Sequence, residues 1–488
     1  MSVPPLSAAQ SAAVNHPSGP LLVIGGPGSG KTRVLEERFA WLVSAGAPPE
    51  SVLLLAFSRA AADELRERLE ARIESAYGEL TVTTWRDYCA RMLREEALEM
   101  GLDPFMTPVS AADRLAMLVE RIDELPLAHH DLRGNPSALL ASIVQRIDRL
   151  KAELVSCADY LRWAHELPAE DAADQARAAR EREFAALYQA HDRMLSQAGV
   201  LDEGDLLLHC FRLLRDKPQA RARQLSRFEH VLIDEFQDAS FAQVRLLREL
   251  ADEHGNVTAA GDDDQAIHRF RAAAAKNFRD FREHWPSTHE VRLESGHRGG
   301  AAIVQAARAV MEPLEDRLDK QLEPAATEAE VAFWRCANER AQAQAVAADI
   351  ERLIAREGVA PEDVCVLVRG VRGEGHAVAV ALEERVVPSS LVGASAFFQR
   401  AEVRDLLAWL RLLADPGDAS AVVRALARPP VELRSVDLAR VTQISRRRKL
   451  DMVAALEAAL EFPQVPPEAR ERIVAFLKLQ RTAAAVLD

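Results

Sequence analysis

The glycine-rich loop GGPGSGKT at residues 25–32 is the feature that most limits what this chain can fold into. It follows the apolar run LLVIG (21–25) and leads into KTRVLEERFAWLVSAG (31–46), whose apolar residues recur with helical spacing. A buried strand that stops at glycines and passes directly into a helix is typical of phosphate-binding loops, because backbone N–H groups and the helix N-terminus converge there. The pattern therefore predicts an α/β fold with a phosphate site after the first strand.

Further strands and helices alternate around this loop. Apolar runs at 51–57 and 79–84, separated by a helical stretch, predict two more strands, and the runs at 228–236 and 256–261 predict another two. Strands separated by helices pair in parallel through right-handed crossovers. We therefore expect one parallel sheet, with the nearly all-helical block between these two pairs of strands as an insertion.

A second α/β region is predicted to follow the first. Strands are expected at HEVRL (289–293), EVAFWR (330–335) and DVCVLVR (363–369), and the sequence becomes helical again after residue 386. We expect two α/β cores, each interrupted by a helical insertion, with the second core incomplete. The expected boundaries are 1–85 and 205–288 for the first core, 86–204 for its insertion, 289–385 for the partial second core and 386–488 for its partial insertion.

The bulk composition is ordinary for a soluble globular protein. The 488 residues are 48% hydrophobic and carry a net charge of −14, which argues against wholesale wrapping by nucleic acid but allows a local basic channel. The five cysteines lie far apart without a CxxC pair, so neither a zinc site nor a disulfide framework is expected. The N-terminal residues do not read as a signal peptide, and no apolar stretch approaches the ~20 residues that cross a bilayer. We expect a cytoplasmic enzyme without a membrane association.

The loop itself fits the pattern G-x4-G-K-T through Gly25, Gly30, Lys31 and Thr32. In such a loop, Lys31 is expected to bridge the β- and γ-phosphates of a nucleotide, and the Thr32 hydroxyl is expected to bind magnesium. The remaining residues expected to surround the phosphates are Gly26, Pro27, Gly28 and Ser29.

Two further strands end in residues that suit nucleotide hydrolysis. HVLIDEF places Asp234 and Glu235 after a strand, where Asp234 is expected to hold magnesium and Glu235 to act as the general base on water. AAGDDDQ places Gln265 after another strand, from which its amide could donate to a γ-phosphate. Taken alone, Gln265 is better interpreted as a turn residue.

The stretch HRFR (268–271) has an aromatic residue between two arginines, which is the composition of a platform that stacks single-stranded bases. The alternative is that Phe270 belongs to the core and the arginines are solvated. The residues alone leave both readings open.

These motifs, in this order, resemble the UvrD/Rep/PcrA family of superfamily 1 DNA helicases from Gln10 to about residue 440. The resemblance implies two RecA-like parallel-sheet P-loop cores. It assigns Gln10 to recognition of adenine and places Arg33 near the base. It also implies a set of contacts with single-stranded DNA, formed by Phe57, Ser58, Arg59, Trp85, His268, Phe270 and Arg271.

The sequence departs from the family at several of these positions. The family's Thr-Phe-His becomes a Thr-Trp pair at residues 84–85, so Trp85 would have to stack in place of the lost histidine contact. His268 and His297 replace tyrosines, and Arg298 is kept. The resemblance implies that His297 stacks on adenine and that Arg298 reaches the γ-phosphate as a catalytic residue. Two later motifs of the family, one of which supplies a second arginine to the γ-phosphate, are not found.

The resemblance implies an ATP- and magnesium-dependent 3′-to-5′ DNA helicase that acts in repair or recombination on single-stranded DNA and on junctions of single- and double-stranded DNA. The competing expectation is an ATP- and DNA-binding polypeptide without autonomous unwinding, completed by a second polypeptide. A helicase–nuclease is disfavoured, because no nuclease module is recognised.

Overall fold

The protein, seen in a computed structural model, forms two compact units, residues 1–331 and 332–488. The structure describes residues 5–73, 77–130, 136–267, 276–315, 317–393 and 401–487. The strands of the first unit are β1 (Leu21–Gly25), β2 (Val52–Ala56), β3 (Thr81–Thr84), β4 (Thr107–Pro108), β5 (Val200–Leu201), β6 (His230–Ile233), β7 (Val257–Gly261) and β8 (His289–Leu293). Six of them form one parallel sheet in the order β3-β2-β6-β7-β1-β8, and β4 pairs with β5 separately.

The other main elements of the first unit are helices. They are α1 (Ala8–Val14), α2 (Lys31–Ser44), α3 (Arg59–Glu70), α4 (Trp85–Glu95), α5 (Ala97–Met100), α6 (Ala111–Glu120), α7 (Pro136–Ala152), α8 (Cys157–Glu166), α9 (Ala172–Gln197), α10 (Glu203–Asp216), α11 (Pro218–Arg227), α12 (Phe241–Ala251), α13 (Asn277–His284) and α14 (Ala301–Met311). Short 3₁₀ turns at Phe236–Asp238 and Asp263–Gln265 follow β6 and β7 directly.

The centre of the sheet is buried on both faces, because β1 and β2 consist of apolar residues, all of them buried. Leu22 and Ile24 of β1 pack in the cluster that contains α4, α10, α12 and α13, whereas Leu21 and Val23 pack in the cluster that contains α1, α2 and α3. This arrangement is typical of parallel sheets covered by helices on each side. The predicted α/β fold of the first core is therefore confirmed, with helices α6 to α9 forming a separate cluster of their own.

A buried lysine joins that helical cluster to the helix that leads back to the sheet. The Lys151 ammonium of α7 donates to Asp192 of α9 at 3.0 Å, and to Asp202 and Asp205 at the start of α10 at 2.8 and 2.6 Å. The Lys151 side chain is fully buried. A side chain at Gly204 would lie 2.4 Å from Lys151 Cβ, so the sequence LDEGDLL (201–207) combines two carboxylates with the gap that the lysine needs.

The second unit is helical in its described residues. Its helices are α15 (Glu339–Glu357), α16 (His376–Glu383), α17 (Ala401–Ala414), α18 (Ala419–Ala427), α19 (Ser435–Arg448), α20 (Met452–Ala459) and α21 (Pro467–Leu487). Helices α17 to α21 share one apolar cluster, and α15 and α16 share a smaller one. In neither unit do the described residues include a helix that is long and apolar enough to cross a membrane.

Two sequence expectations for the second α/β region are wrong. Residues 289–293 were expected to open the second core, but they pair with β1 and so form an edge strand of the first sheet. The expected strands at 330–335 and 363–369 are not strands in the structure, since no neighbouring strand in the described part of the chain hydrogen-bonds with them. Their apolar side chains are correspondingly exposed, with Phe333 at 91% and Leu367 at 90%.

Replacing Lys151 with methionine should destabilise the first unit strongly. The Lys151→Met variant would leave Asp192, Asp202 and Asp205 facing one another without their shared cation. Breaking a buried ion pair in this way costs about 3–5 kcal/mol. We expect a loss of that size in the free energy of unfolding, measured by urea denaturation with circular dichroism.

Lys276→Met is the matched control, because the Lys276 side chain is about half exposed and lies 4.0 Å from its partner Asp280. An exposed pair of this kind contributes at most about 1 kcal/mol. Equal free energies of unfolding for the two variants would show that the ion pairs of Lys151 with α9 and α10 do not stabilise the first unit.

Candidate nucleotide-binding site

Four neighbouring strands of the sheet deliver the candidate site residues to one edge. In the order β6-β7-β1-β8, their carboxyl ends lead into the Asp234–Glu235 pair, Gln265, the glycine-rich loop and Arg298, respectively. Ligands of open α/β sheets bind at this edge. Segments that are far apart in sequence therefore meet at one place.

The glycine-rich loop is closed around the ammonium group of Lys31. Its Nζ donates to the carbonyl oxygens of Gly25 at 2.9 Å and Gly26 at 3.3 Å, and the side chain is buried. Gly30, which precedes Lys31 at the start of α2, has φ +86°, a left-handed conformation that glycine adopts without strain. The loop thus places the N-terminus of a 14-residue helix and a lysine at the same point, and both attract phosphate.

The two residues expected to hold a metal lie in direct contact. The Thr32 hydroxyl donates to Asp234 Oδ2 at 2.9 Å. Asp234 is buried, and burial together with the neighbouring Glu235 raises its pKa to about 6. A buried carboxylate beside a hydroxyl fits Mg²⁺, which proteins hold by one or two such ligands together with phosphates and water.

Glu235 has the backbone conformation of a functional residue under constraint. Its φ of +50° is left-handed, although glutamate carries a Cβ, and such conformations persist where the surrounding structure enforces them. Its carboxylate accepts a hydrogen bond from Gln237 Nε2 at 2.7 Å. Glu235 and Asp234 consequently point into the site from one short turn with different partners.

Gln237 is a residue that the sequence reasoning missed. Besides its bond to Glu235, its Oε1 accepts a hydrogen bond from the backbone N–H of Asp262 at 2.9 Å. Asp262 in turn accepts a hydrogen bond from Gln265 Nε2 at 2.8 Å. The turn after β6 and the turn after β7 are therefore linked through one buried amide. The signal available in sequence was a polar residue two positions after Glu235.

Gln10 lies against the loop and is almost fully buried. Its Nε2 donates to the carbonyl of Ser29 at 2.9 Å, and its Oε1 accepts a hydrogen bond from the backbone of Ser7, closing a capping box at the start of α1. Arg33 lies in the first turn of α2, with its Cβ 4.0 Å from the position that a Cβ on Gly30 would take. The two residues expected near the base thus flank Gly30.

A second missed residue, Arg38, fixes the helix that carries Gln10. The guanidinium is buried and donates to the carbonyls of Ala13, Val14 and His16 and to Thr258 Oγ1 of β7. These bonds tie the C-terminal end of α1 to the sheet. Arg38 follows two glutamates in α2 (KTRVLEERFAWLVS), so the sequence alone did not distinguish it from the neighbouring charged residues.

The loop after β8 brings His297 and Arg298 beside the glycine-rich loop. The His297 backbone N–H donates to the Gly28 carbonyl at 3.0 Å. A Cβ on Gly28 would lie 3.0 Å from Arg298 Cβ, so the two segments are in contact. Both side chains are exposed at this edge.

The described residues expected to contact DNA follow β2 and β3, which lie on the opposite side of the sheet from β1 and β8. Phe57 and Ser58 come directly after β2, with Phe57 41% exposed and the Ser58 hydroxyl capping α3. Arg59 is exposed and forms a two-point ion pair with Asp87 of α4 at 2.5 and 2.8 Å. His268, Phe270 and Arg271 lie outside the described residues.

The stacking role expected for Trp85 is wrong. Trp85 is the first residue of α4, and its side chain is only 8% exposed within the apolar cluster under the sheet. A ring packed in the core has no face available for a base. The helical spacing of α4 turns this position inward, toward the cluster that also holds Tyr88 and Cys89.

Comparison with known proteins places these features in a family. A family model described as the UvrD/REP helicase N-terminal domain matches residues 6–286, and one described as the UvrD-like helicase C-terminal domain matches residues 291–460. The first match alone covers more than half of the chain.

Curated relatives agree with these matches. The ATP-dependent DNA helicase UvrD1 of Mycobacterium tuberculosis (strain ATCC 25618 / H37Rv) is 34% identical over 436 residues, which cover 87% of this chain and 54% of the relative. DNA helicase II of Escherichia coli (strain K12) is 29% identical over 472 residues, or 96% of this chain and 63% of the relative. The ATP-dependent DNA helicase PcrA of Leuconostoc citreum is 28% identical over 473 residues, or 96% and 61%. The chain spans between a half and two thirds of the length of these relatives.

Gly30→Ala should weaken nucleotide binding selectively. The alanine would have to adopt a left-handed backbone conformation, and its Cβ would lie 2.6 Å from Gln10 Nε2. Gln10 would therefore have to leave the Ser29 carbonyl. Gly46→Ala is the control, because Gly46 is also left-handed at φ +109° but has open space around it. Such strain costs of order 1–3 kcal/mol, so we expect both variants to be less stable. Only Gly30→Ala should bind a fluorescent ATP analogue more weakly; equal affinities would contradict the placement of Gln10 and Gly30 at the nucleotide.

Proposed function

This chain belongs to the UvrD/REP helicase family, and we propose that it hydrolyses ATP to move along single-stranded DNA in the 3′-to-5′ direction. The same proposal includes unwinding at junctions of single- and double-stranded DNA, in repair or recombination and in the cytoplasm. The observation that carries it is the 2.9 Å contact between Thr32 and Asp234 beside the buried ammonium of Lys31. A lysine and a hydroxyl at a helix N-terminus, with a carboxylate beside them, suit a nucleoside triphosphate with its metal ion.

Each of the remaining site residues has a role in this proposal. Lys31 would leave the loop carbonyls to bind the β- and γ-phosphates. Thr32 and Asp234 would hold Mg²⁺, which would neutralise phosphate charge. Glu235 orients the attacking water and accepts its proton. Gln265 and Arg298 bind the γ-phosphate, and the nucleotide base rests among Gln10, Arg33 and His297.

The proposed DNA contacts follow from the order of the strands. β2 and β1 are separated by β6 and β7 in the sheet, so the end of β2 lies about 14 Å from the end of β1 at ~4.8 Å per strand. That distance separates Phe57 from the phosphate loop while keeping both on one rigid sheet. Exposed Phe57 and Arg59 suit the stacking of a base and the binding of a backbone phosphate. DNA binding should then weaken steeply with salt.

A second candidate is a motor that is completed by another polypeptide. Phe333 and Leu367 are almost fully exposed in two apolar segments for which the sequence predicts strands. Strands of a second polypeptide would cover both segments by pairing with them. This candidate predicts weak ATPase activity in the isolated protein and higher activity when the second polypeptide is added.

Lys31→Ala tests the nucleotide part of the proposal. Without the ammonium, we expect ATP hydrolysis stimulated by single-stranded DNA to fall to the background rate, measured by phosphate release. Lys276→Met, which removes an exposed lysine of the same unit, should retain the wild-type rate. Wild-type turnover by Lys31→Ala would show that the glycine-rich loop does not take part in ATP hydrolysis.

Phe57→Ala tests the DNA part of the proposal. Loss of one stacked base should weaken the binding of a single-stranded oligonucleotide by ~1–3 kcal/mol, measured by fluorescence anisotropy. Phe105→Ala is the control, since Phe105 is 87% exposed but lies outside the carboxyl edge of the sheet. Unchanged affinity in Phe57→Ala, or an equal loss in both variants, would contradict a stacking role for Phe57.

A further inference from the structure

Residues 317–323 (RLDKQLE), called the strap below, touch three parts of the candidate nucleotide site. Lys320 reaches the carboxylates that precede Gln265. Leu322 lies over the glycine-rich loop, because a Cβ on Gly26 would come 3.1 Å from Leu322 Cδ2. The backbone of Glu323 exchanges hydrogen bonds with residues 294–296, in the segment that leads to Arg298. One short segment therefore contacts the loops after β7, β1 and β8.

The strongest of these contacts is the insertion of Lys320 among three consecutive aspartates. Its Nζ lies 2.7 Å from Asp262 Oδ1 and 3.1 Å from Asp264 Oδ2, and it also binds Asp263 Oδ1. The lysine side chain is only 8% exposed. Burial would lower the pKa of Lys320, but Asp262 and the adjacent carboxylates outweigh burial and raise it, so the ammonium stays charged.

Arg317 and the strap backbone complete this charge balance. Arg317 forms a two-point ion pair with Asp264 at 2.7 and 3.0 Å, and the N–H of Leu318 donates to Asp263 Oδ2 at 2.6 Å. In the described part of the chain, both cations that pair with the three aspartates come from the strap. Three adjacent carboxylates at a strand end would otherwise repel one another.

Lys320 and Gln265 share a single carboxylate. Asp262 Oδ1 faces Lys320 at 2.7 Å, and Asp262 Oδ2 accepts the hydrogen bond from Gln265 at 2.8 Å. Asp262 is fully buried, and its backbone N–H is held by Gln237, the residue that also donates to Glu235. The orientation of the Asp262 carboxylate thus decides where the Gln265 amide lies.

We propose that Lys320 is a positioning residue for nucleotide hydrolysis: it fixes the Asp262 carboxylate and, through it, the Gln265 amide. This inference rests on the proposed function, because it gives Gln265 a reaction to serve. Lys320 does not touch the nucleotide in this account. It acts through Asp262, while Leu322 and Glu323 keep the same segment against the phosphate loop and the segment before Arg298.

A positioning role predicts a specific split in the kinetics. Misplacing a group that binds the transferring phosphate by a fraction of an ångström lowers turnover without removing the groups that bind ground-state nucleotide. In Lys320→Met we therefore expect kcat for ATP hydrolysis to fall about tenfold or more. The Kd for ATP, set by Lys31 and its loop, should stay within about twofold of wild type.

Two further variants separate positioning from general loss of structure. Lys320→Arg keeps the charge and should recover part of kcat. Lys478→Met, at an exposed lysine on α21, should match wild type in both constants. If Lys320→Met does not fold, Lys320→Gln takes its place, since it keeps one donor for Asp262 and the same split is expected.

Hydrogen exchange gives a readout that does not depend on catalysis. The amide N–H of Asp264 is bound to Asp262 Oδ1 and that of Gln265 to the Asp262 carbonyl. Releasing Asp262 should speed exchange in the peptide covering residues 259–267, measured by mass spectrometry, while β2 (52–56) should be unaffected. Wild-type exchange in this peptide of the Lys320 variant would overturn the positioning role, whatever the enzyme activity.

The outcomes for the two proposals differ. If the wild-type protein does not hydrolyse ATP with DNA present, the proposed function fails, and faster exchange in the Lys320 variant would then support only the contact with Asp262. If the wild type is active and Lys320→Met has the same kcat, or loses ATP affinity in proportion to kcat, the positioning inference is wrong and the proposed function stands.

Discussion

The hydrogen bond between Thr32 and Asp234 is the contact on which the site depends. It joins residues 202 positions apart in sequence, one at the start of α2 and the other at the end of β6. In the sheet these strands flank β7, so the bond closes the edge across the strand that leads to Gln265. A parallel sheet makes this contact possible, because all its strands present their carboxyl ends on one side. The burial that raises the Asp234 pKa also makes a divalent cation a favourable partner for its charge.

The other polar groups of the site are held at this edge by hydrogen bonds and ion pairs from supporting side chains. Gln237 links Glu235 to the backbone of Asp262, and Asp262 holds Gln265 on one oxygen and Lys320 on the other. Arg38 secures α1 and thereby the helix that carries Gln10. These supporting side chains are buried, where a hydrogen bond is stronger and an unpaired polar group costs more free energy than at the surface. The precision of the site is therefore distributed over residues that would not contact a nucleotide themselves.

Local patterns were sufficient to predict most of the first unit. The apolar runs that predicted strands at 21–25, 51–57, 79–84, 228–236 and 256–261 all contain strands of the one parallel sheet, and the glycine-rich loop opens α2 as expected. Pairing between distant segments was not predictable in this way. Nothing in HEVRL indicates that it hydrogen-bonds to β1, and nothing in Trp85 indicates that its helix turns it into the core.

Isolated charges were the other source of error, because their partners are distant in sequence. No motif in the sequence marks Lys151 or Lys320, yet each side chain is buried among three carboxylates. The acidic runs LDEGD and GDDD were visible, but the lysines that neutralise them lie about 50 residues away along the chain, at separations of 51 and 57 residues. The exposed Phe333 and Leu367 show the converse case, in which a strand pattern exists without a strand partner among the described residues.

The most direct test of the site is to locate its metal ion. Crystals grown with Mn²⁺ and a non-hydrolysable ATP analogue would show the ion in an anomalous difference map. We predict one strong peak within bonding distance of the Thr32 hydroxyl, with Asp234 beside it directly or through water and the phosphates against Lys31. A nucleotide bound without a peak at Thr32, or a peak and phosphates elsewhere on the sheet, would contradict the assignment of this edge as the ATP site.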